Sequence, residues 1–302
     1  MNDDGFINLN KPSGMTSHDA VNHVRRIFST RKVGHAGTLD PMAAGVLPIA
    51  INRATKFIEY LDDNKSYRAE ILFGVATDSG DLEGSVIARA EDFSPPTLED
   101  LNSALQSFVG EIEQTPPKFS AIKIHGRKAY DLVRKDIAFD MPSRRVKIYR
   151  LELVALDETS ATIEIDCGKG TYVRSLAIDL GERLNLPATL KSLVRIRAGG
   201  FDLNDALDIK NIGADSLLPI EEALNHLPPF ELDERRVKAF MNGLPTTLRL
   251  AEEKSLRVYA GGRFLGVGRI ERGDLRASKI VEPRKSRINC TERKPLPKTD
   301  CT

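Results

Sequence analysis

The chain has 302 residues, more than one ordinary compact core accommodates, so a large domain with a smaller companion is expected. Its 44 Lys and Arg against 43 Asp and Glu give a net charge of +1, which neither points to a polyanionic partner nor excludes one, because a total says nothing about distribution. Charged residues make up 29% of the chain, and the apolar run at residues 46–51 is broken by Pro48, which excludes a membrane-spanning helix.

Taken in chain order, Asp3 and Asp4 stand where a signal peptide carries basic residues, so a cytoplasmic protein is expected. Residues 17–28 place Ala20, Val21, Val24, Ile27 and Phe28 at helical spacing behind Ser17 as cap, with Arg25 and Arg26 on the polar face. Residues 34–48 hold too many glycines and prolines for regular structure and are too apolar for a disordered linker, which predicts an ordered loop. A short helix is expected over 54–61. Alternation of Tyr67, Ala69, Ile71 and Phe73 with Arg68, Glu70 and Leu72 predicts a half-buried strand. Leu98, Leu101, Leu105 and Phe108 restore helical spacing, with Thr97 and Asp100 as a capping pair. Residues 145–156 and 161–167 read as paired strands, followed by a helix over 171–184.

This mixture predicts an α+β catalytic domain on a mostly antiparallel mixed sheet rather than a doubly wound one. Composition shifts at Leu227-Pro228-Pro229, and residues 256–270 read as two strands around a Gly261-Gly262 turn, the pattern of a small β-rich domain. Beyond Pro283 the chain is polar, rich in Lys, Arg and Pro, and aperiodic. The expected organisation is a large domain over 1–227, a β-rich domain over 228–283 and a basic disordered tail over 284–302.

Little in the chain signals a cofactor. Cys167, Cys290 and Cys301 are an odd count without Cys-x-x-Cys spacing, and His18 and His23 are five apart, off the shared helix face that a metal pair uses. Gly168-Lys169-Gly170-Thr171 resembles the end of a phosphate loop but lacks the leading glycine at the required distance. Neither a metal nor a nucleotide cofactor is expected. One segment combines permissive glycines with a carboxylate: Gly34-His35-Ala36-Gly37-Thr38-Leu39-Asp40-Pro41, where the proline biases Asp40 toward extended backbone. On these grounds alone Asp40 is either a turn residue or a reactive carboxylate. Charge is also uneven: residues 118–150 carry ten Lys and Arg against Asp131, Asp136 and Asp140, a candidate phosphate track or a solvated face.

Lys11-Pro-Ser-Gly-Met-Thr-Ser17, followed by Gly34-His-Ala-Gly-Thr-Leu-Asp40-Pro-Met-Ala-Ala-Gly-Val-Leu-Pro48, closely resembles the TruB family of bacterial tRNA pseudouridine synthases. Lys65-Ser-Tyr67-Arg-Ala, Gln114-Thr-Pro-Pro-Lys-Phe-Ser-Ala-Ile-Lys123 and Gly168-Lys-Gly-Thr-Tyr172-Val-Arg174-Ser agree in order, so the resemblance spans roughly residues 5–200. It implies isomerisation of uridine to pseudouridine at position 55 in the T loop of tRNA, with the base flipped into a pocket, no cofactor, and tRNA rather than a protein as partner; separately, the sequence carries no coiled-coil heptads or long exposed apolar stripe, so a monomer is expected. By the same resemblance Asp40 is the essential carboxylate, acting as nucleophile or as base. Arg174 pairs with it, and Tyr67 stacks on the target base and takes part in proton transfer at C5. His35 fills the space that the flipped nucleotide leaves, Leu193 lines the pocket, and Tyr172 and Lys11 support it. Asp78 and Asp81 fall in a loop that the resemblance turns toward RNA, and residues 228–283 occupy the place of a PUA-like RNA-binding domain.

Overall fold

The computed structural model describes residues 4–90, 93–120, 122–124, 126–135, 137–248 and 251–281; the predicted tail at 284–302 lies outside the described residues. The chain divides between Leu227 and Pro228 into two units. In chain order, the first contains β1 (Gly5–Lys11), α1 (Ser17–Ile27), β2 (Val33–His35), β3 (Ala44–Ile51), a 3-10 helix (Asn52–Tyr60) and β4 (Lys65–Phe73). A hairpin, β5 (Val75–Thr77) with β6 (Val86–Arg89), precedes α2 (Leu98–Gln106), β7 (Gly110–Gln114), the short β8 (Lys123–Ile124) and β9 (Arg127–Lys128), and α3 (Ala129–Val133). Then come β10 (Arg144–Leu156), β11 (Ser160–Cys167), α4 (Val173–Arg183), β12 (Ala188–Ala198), β13 (Phe201–Asp202), β14 (Leu207–Asp208) and α5 (Ile220–Ala223).

One sheet organises this unit, in the order β14-β1-β3-β12-β4-β11-β10-β7. Its pairs are antiparallel except β1 with β14 and β3 with β12, so the fold is α+β on a mixed, mostly antiparallel sheet. Alternation on β4 sends Tyr67, Ala69, Ile71 and Phe73 into the core, against Ile163 and Ile165 of β11 and Leu190 and Leu193 of β12. Each fully buried Ile or Leu contributes on the order of 1.5–3 kcal/mol, so these central strands contribute much of the stability of this unit. The opposite face is polar. There Arg68 pairs with Glu164 at 2.7 Å, Arg150 with Asp166 at 2.8 Å and Lys191 with Glu70 at 2.7 Å.

Two elements differ from the expectation. The segment 34–48 is not one loop: β2 ends at His35 and β3 begins at Ala44, leaving irregular backbone only between them. Pro48 sits inside β3 because its nitrogen lies on the side of its carbonyl, which accepts the Ala36 N–H at 2.9 Å just past the end of β2, where no ladder bond is required. Gly45 has to be glycine. Its φ is +103°, and a Cβ there would stand 2.3 Å from the Arg195 carbonyl oxygen on the adjoining β12. The cap of α1 is Thr16 rather than Ser17: the Thr16 hydroxyl accepts the Asp19 N–H at 3.0 Å, and the Asp19 carboxylate accepts the Thr16 N–H at 3.3 Å.

The second unit is β-rich. Strands β15 (Pro229–Glu231), β16 (Thr246–Thr247), β17 (Glu253–Ala260), β18 (Arg263–Glu271) and β19 (Asp274–Ile280) form a sheet ordered β15-β17-β18-β19-β16, with the one-turn helix α6 (Val237–Met241). Gly261 and Gly262, both at positive φ (+55° and +73°), make the tight turn between β17 and β18. Phe240, Leu256, Val258, Leu265 and Leu275 fill its own small core.

Candidate active site

A cavity of about 310 Å³ opens between the loop after β2, the C-terminal end of β11, the start of α4 and the paired strands β4 and β12. Asp40, Tyr67, Tyr172, Arg174 and Leu193 all line it, although they come from four separate stretches of chain. The register explains the convergence of two of these elements. Tyr67 stands opposite Arg195, and Ala69 opposite Leu193, so β4 and β12 present Tyr67, Leu193 and Arg195 side by side.

The loop bearing Asp40 is held from several sides. Ser17, the first residue of α1, donates its hydroxyl to the Leu39 carbonyl at 2.9 Å and accepts the Leu39 N–H at 2.8 Å. The Asp40 carbonyl accepts the Ala43 N–H at 3.1 Å, and the Pro41 carbonyl accepts the Gly14 N–H at 2.8 Å. Lys11 is fully buried and does not line the cavity. Its ammonium donates to the carbonyls of Pro12 at 2.9 Å, Met15 at 2.6 Å and Pro41 at 3.4 Å, tying the end of β1 to the turn just past Asp40. Burial lowers its pKa to about 8, with the Asp40 charge acting in the opposite direction. Replacing Ser17 with Ala leaves the buried Leu39 N–H unpaired, and a stability loss of about 1–2 kcal/mol is expected, read as a lower midpoint in urea denaturation.

Arg174 is the second residue of α4. Its side chain, 5% exposed, turns inward rather than lying on the surface of that helix. Its Nε stands 2.9 Å from Asp40 Oδ2 and 3.5 Å from Asp81 Oδ2, while Nη1 donates to the Ser79 carbonyl at 3.1 Å and Nη2 to the Phe119 carbonyl at 3.0 Å. The contact with Asp40 is ionic rather than an aligned hydrogen bond. One guanidinium thus faces two carboxylates of different character: Asp81 is buried, whereas the Asp40 side chain is 33% exposed toward the cavity. Asp81 accordingly belongs to the support of the site and not to an outward-facing loop. Asp78 remains exposed and accepts the Ser85 N–H at 2.8 Å.

Tyr67 is buried, and burial raises its pKa, so the phenol is neutral; Arg195 pulls the other way. Tyr172 caps the start of α4. Gln114 clamps its backbone from both sides, accepting the Tyr172 N–H at 2.8 Å and donating to its carbonyl at 3.0 Å. The Arg144 guanidinium lies 4.8 Å from the centre of the Tyr172 ring and donates to the Gly170 carbonyl. His35 does not line the cavity. It ends β2 with its Nδ1 unpartnered, and burial first, then Arg195 and His18, lower its pKa, so the ring is neutral at pH 7.

Three cations of the cavity wall were not assigned to the site from sequence: Lys65, which appeared only within a motif, Arg144, which was counted only in the basic stretch, and Arg195. Among the described residues Arg195 is the largest fully buried side chain. Its Nε donates to the Val46 carbonyl at 2.7 Å, Nη2 to Gly37 at 3.1 Å and Nη1 to Thr38 at 3.5 Å. The available signal was its place two residues after Leu193, which puts both on one face of a strand. Of the basic stretch at 118–150, Arg150 is taken up by Asp166, Glu152 and Glu164 on the polar face of the sheet, and Arg144 by Tyr172. Among the described residues no cluster of His, Cys, Asp and Glu is placed to hold a metal ion, and no helix is long and apolar enough to cross a membrane.

Residues 25–173 match the model of the TruB family pseudouridylate synthase N-terminal domain, and residues 228–281 that of the pseudouridine synthase II TruB C-terminal region. Over 276 residues the chain is 39% identical to a tRNA pseudouridine synthase B of Clostridium kluyveri, covering 88% of this chain and 95% of that protein. A tRNA pseudouridine synthase B of Bacillus pumilus is 42% identical over 283 residues, covering 87% and 92%. In fold, the chain is similar to a protein in a solved H/ACA RNP bound to a substrate RNA containing 2′-deoxyuridine, with TM-score 0.71 and 22% identity over 94% of this chain and 86% of the other.

Proposed function

The chain belongs to the TruB family of pseudouridylate synthases, and from that membership we propose that it converts uridine to pseudouridine in tRNA, at position 55 of the T loop. The observation that carries this reading is the contact between Asp40 and Arg174 at the wall of a cavity large enough for a pyrimidine nucleoside. In this reading Asp40 is the essential carboxylate. A guanidinium at 2.9 Å favours its ionised form and fixes its direction, which suits either attack on the sugar or removal of a proton from it. Tyr67 and Leu193 offer an aromatic and an aliphatic surface to the flipped base, and the Tyr67 phenol takes part in the proton transfer at C5 as a relay, giving up its own proton as it takes the one from C5.

The reaction asks little else of the protein. The N1–C1′ bond breaks, the base turns within the pocket, and C5 joins C1′; C5 gives up a proton and N1 gains one, so there is no net hydrolysis or redox change. Lys118, Lys123, Arg127 and Lys128 offer phosphate contacts, the β-rich unit acts as a PUA-like RNA-binding domain in its own right, and the protein acts as a cytoplasmic monomer. Incubation with unmodified tRNA, followed by nuclease digestion and chromatography, is expected to show one pseudouridine, in the T loop. Binding without any modified uridine would instead leave an RNA-binding factor, and modification elsewhere would reassign the substrate.

A further inference from the structure

Arg195 is a buried cation for which the proposed reaction has so far needed no role. It is fully buried, and among the described residues it has no carboxylate partner: Asp40 and Asp81 both turn to Arg174, and its own donors reach the carbonyls of Val46, Gly37 and Thr38 and the Tyr67 phenol. A buried charge left to neutral dipoles is costly unless something else at the site uses it. Its surroundings add positive charge. Lys65 and Arg144 line the same cavity, and burial together with Arg195 lowers the Lys65 pKa. Gly37, at φ +94°, leaves the wall open there: a Cβ would lie 3.3 Å from Lys65 Cε and 3.5 Å from Arg195 Nη1. Counting Asp40, Asp81 and Arg174 with these three cations, the site carries an excess of two positive charges when all are ionised.

Such a site suits negative charge, and the proposed isomerisation creates it. When the N1–C1′ bond breaks heterolytically, the electron pair stays on the base and spreads over N1, O2 and O4, whether Asp40 meets the sugar as nucleophile or as base. The ring then uses an electron pair at C5 to bond C1′, the C5 proton leaves and N1 takes one up. We propose that Arg195, by its charge, stabilises the anionic pyrimidine in the interval between bond breaking and bond making. This rests on the function proposed above. A fixed cation that is itself shielded from water acts strongly there because it needs no reorganisation as the charge develops.

The test compares Arg195→Met and Arg195→Lys in the full chain on RNA carrying either uridine or 5-fluorouridine, whose fluorine stabilises the ring anion without help from the protein. With uridine, Arg195→Met is expected to lose about 100-fold in single-turnover rate, with RNA binding within about threefold of wild type. With 5-fluorouridine, measured as loss of the N-glycoside, that deficit shrinks at least about fivefold, as expected when the lost interaction acted on the leaving base. Arg195→Lys keeps the charge but cannot serve three carbonyls, and stays within about tenfold of wild type on both RNAs.

Equal deficits on the two RNAs, or a Lys variant as slow as Met, would overturn the inference in favour of a purely structural fork. Arg195→Gln replaces Met if the latter does not melt cooperatively; if no neutral variant folds, Arg195 is structural and the inference falls. A wild-type protein that leaves uridine unchanged rejects the proposed function itself, whereas an active wild type with an equally active Arg195→Met rejects only this inference.

Discussion

Asp40→Asn is expected to lower pseudouridine formation by about 10⁴-fold, the scale of loss when an essential nucleophile or base is removed, while tRNA affinity changes by less than about threefold. Asn preserves the size of the side chain and is at home before proline, so the loop pinned by Ser17 and Gly14 keeps its path. It removes only the charge. The Arg174 guanidinium does not become an orphan, because the buried Asp81 carboxylate still stands 3.5 Å from its Nε. Stability is therefore expected to change little, and the loss should appear in the chemical step alone. Single-turnover conversion, filter binding and a thermal melt measured on one preparation separate the three quantities. Conversion within tenfold of wild type would remove Asp40 from the centre of the mechanism.

Arg174 is expected to combine the largest stability effect with a large catalytic one. Arg174→Met leaves Asp81 buried without its cation and strips two carbonyls, Ser79 and Phe119, of their donors, for an expected loss of about 3–5 kcal/mol. Arg174→Lys keeps a charge but is a point donor that cannot serve two carboxylates and two carbonyls from one plane. Displacing the Asp40 carboxylate by even about 1 Å is expected to cost roughly 100-fold in rate. Denaturant midpoints and single-turnover rates on both variants check these values. Adding Asp81→Asn to Arg174→Met should recover part of the stability, because the uncompensated charge is gone, and none of the activity. A double variant no more stable than Arg174→Met would mean that Asp81 is not the group that Arg174 neutralises.

Elements with a strong period were legible from the residues. The core positions of α1, the inward set on β4, the β10–β11 pair and the Gly261-Gly262 hairpin all follow from spacing, because burial on one side imposes a repeat of 3.6 or 2 whatever the rest of the fold does. Segment 34–48 was not legible in this way. Pro48 enters β3 only because β2 ends beside it, and Gly45 is demanded by the Arg195 backbone about 150 residues away in sequence. Ser17 looked like a cap because Ser is a good one; Thr16 took the cap through Asp19, which left the Ser17 hydroxyl free to hold Leu39.

The sequence by itself determined the fold class, the elements with clear periodicity and, through the order of its motifs, a resemblance centred on Asp40, Tyr67 and Arg174. All of these depend on neighbours within a few residues or on the succession of short segments. Only the tertiary structure decided which charges share a buried space: Asp81 with Arg174 rather than with solvent, Arg195 beneath the cavity rather than on an outer face, and Arg150 on the polar face of the sheet. The reason is physical. The cost of a charge depends on its burial and on partners that chain folding brings within a few ångströms, and neither is encoded in local spacing. Hence the total of +1 could not reveal the cationic cavity, which exists only once β4, β10 and β12 have brought Lys65, Arg144 and Arg195 to one place.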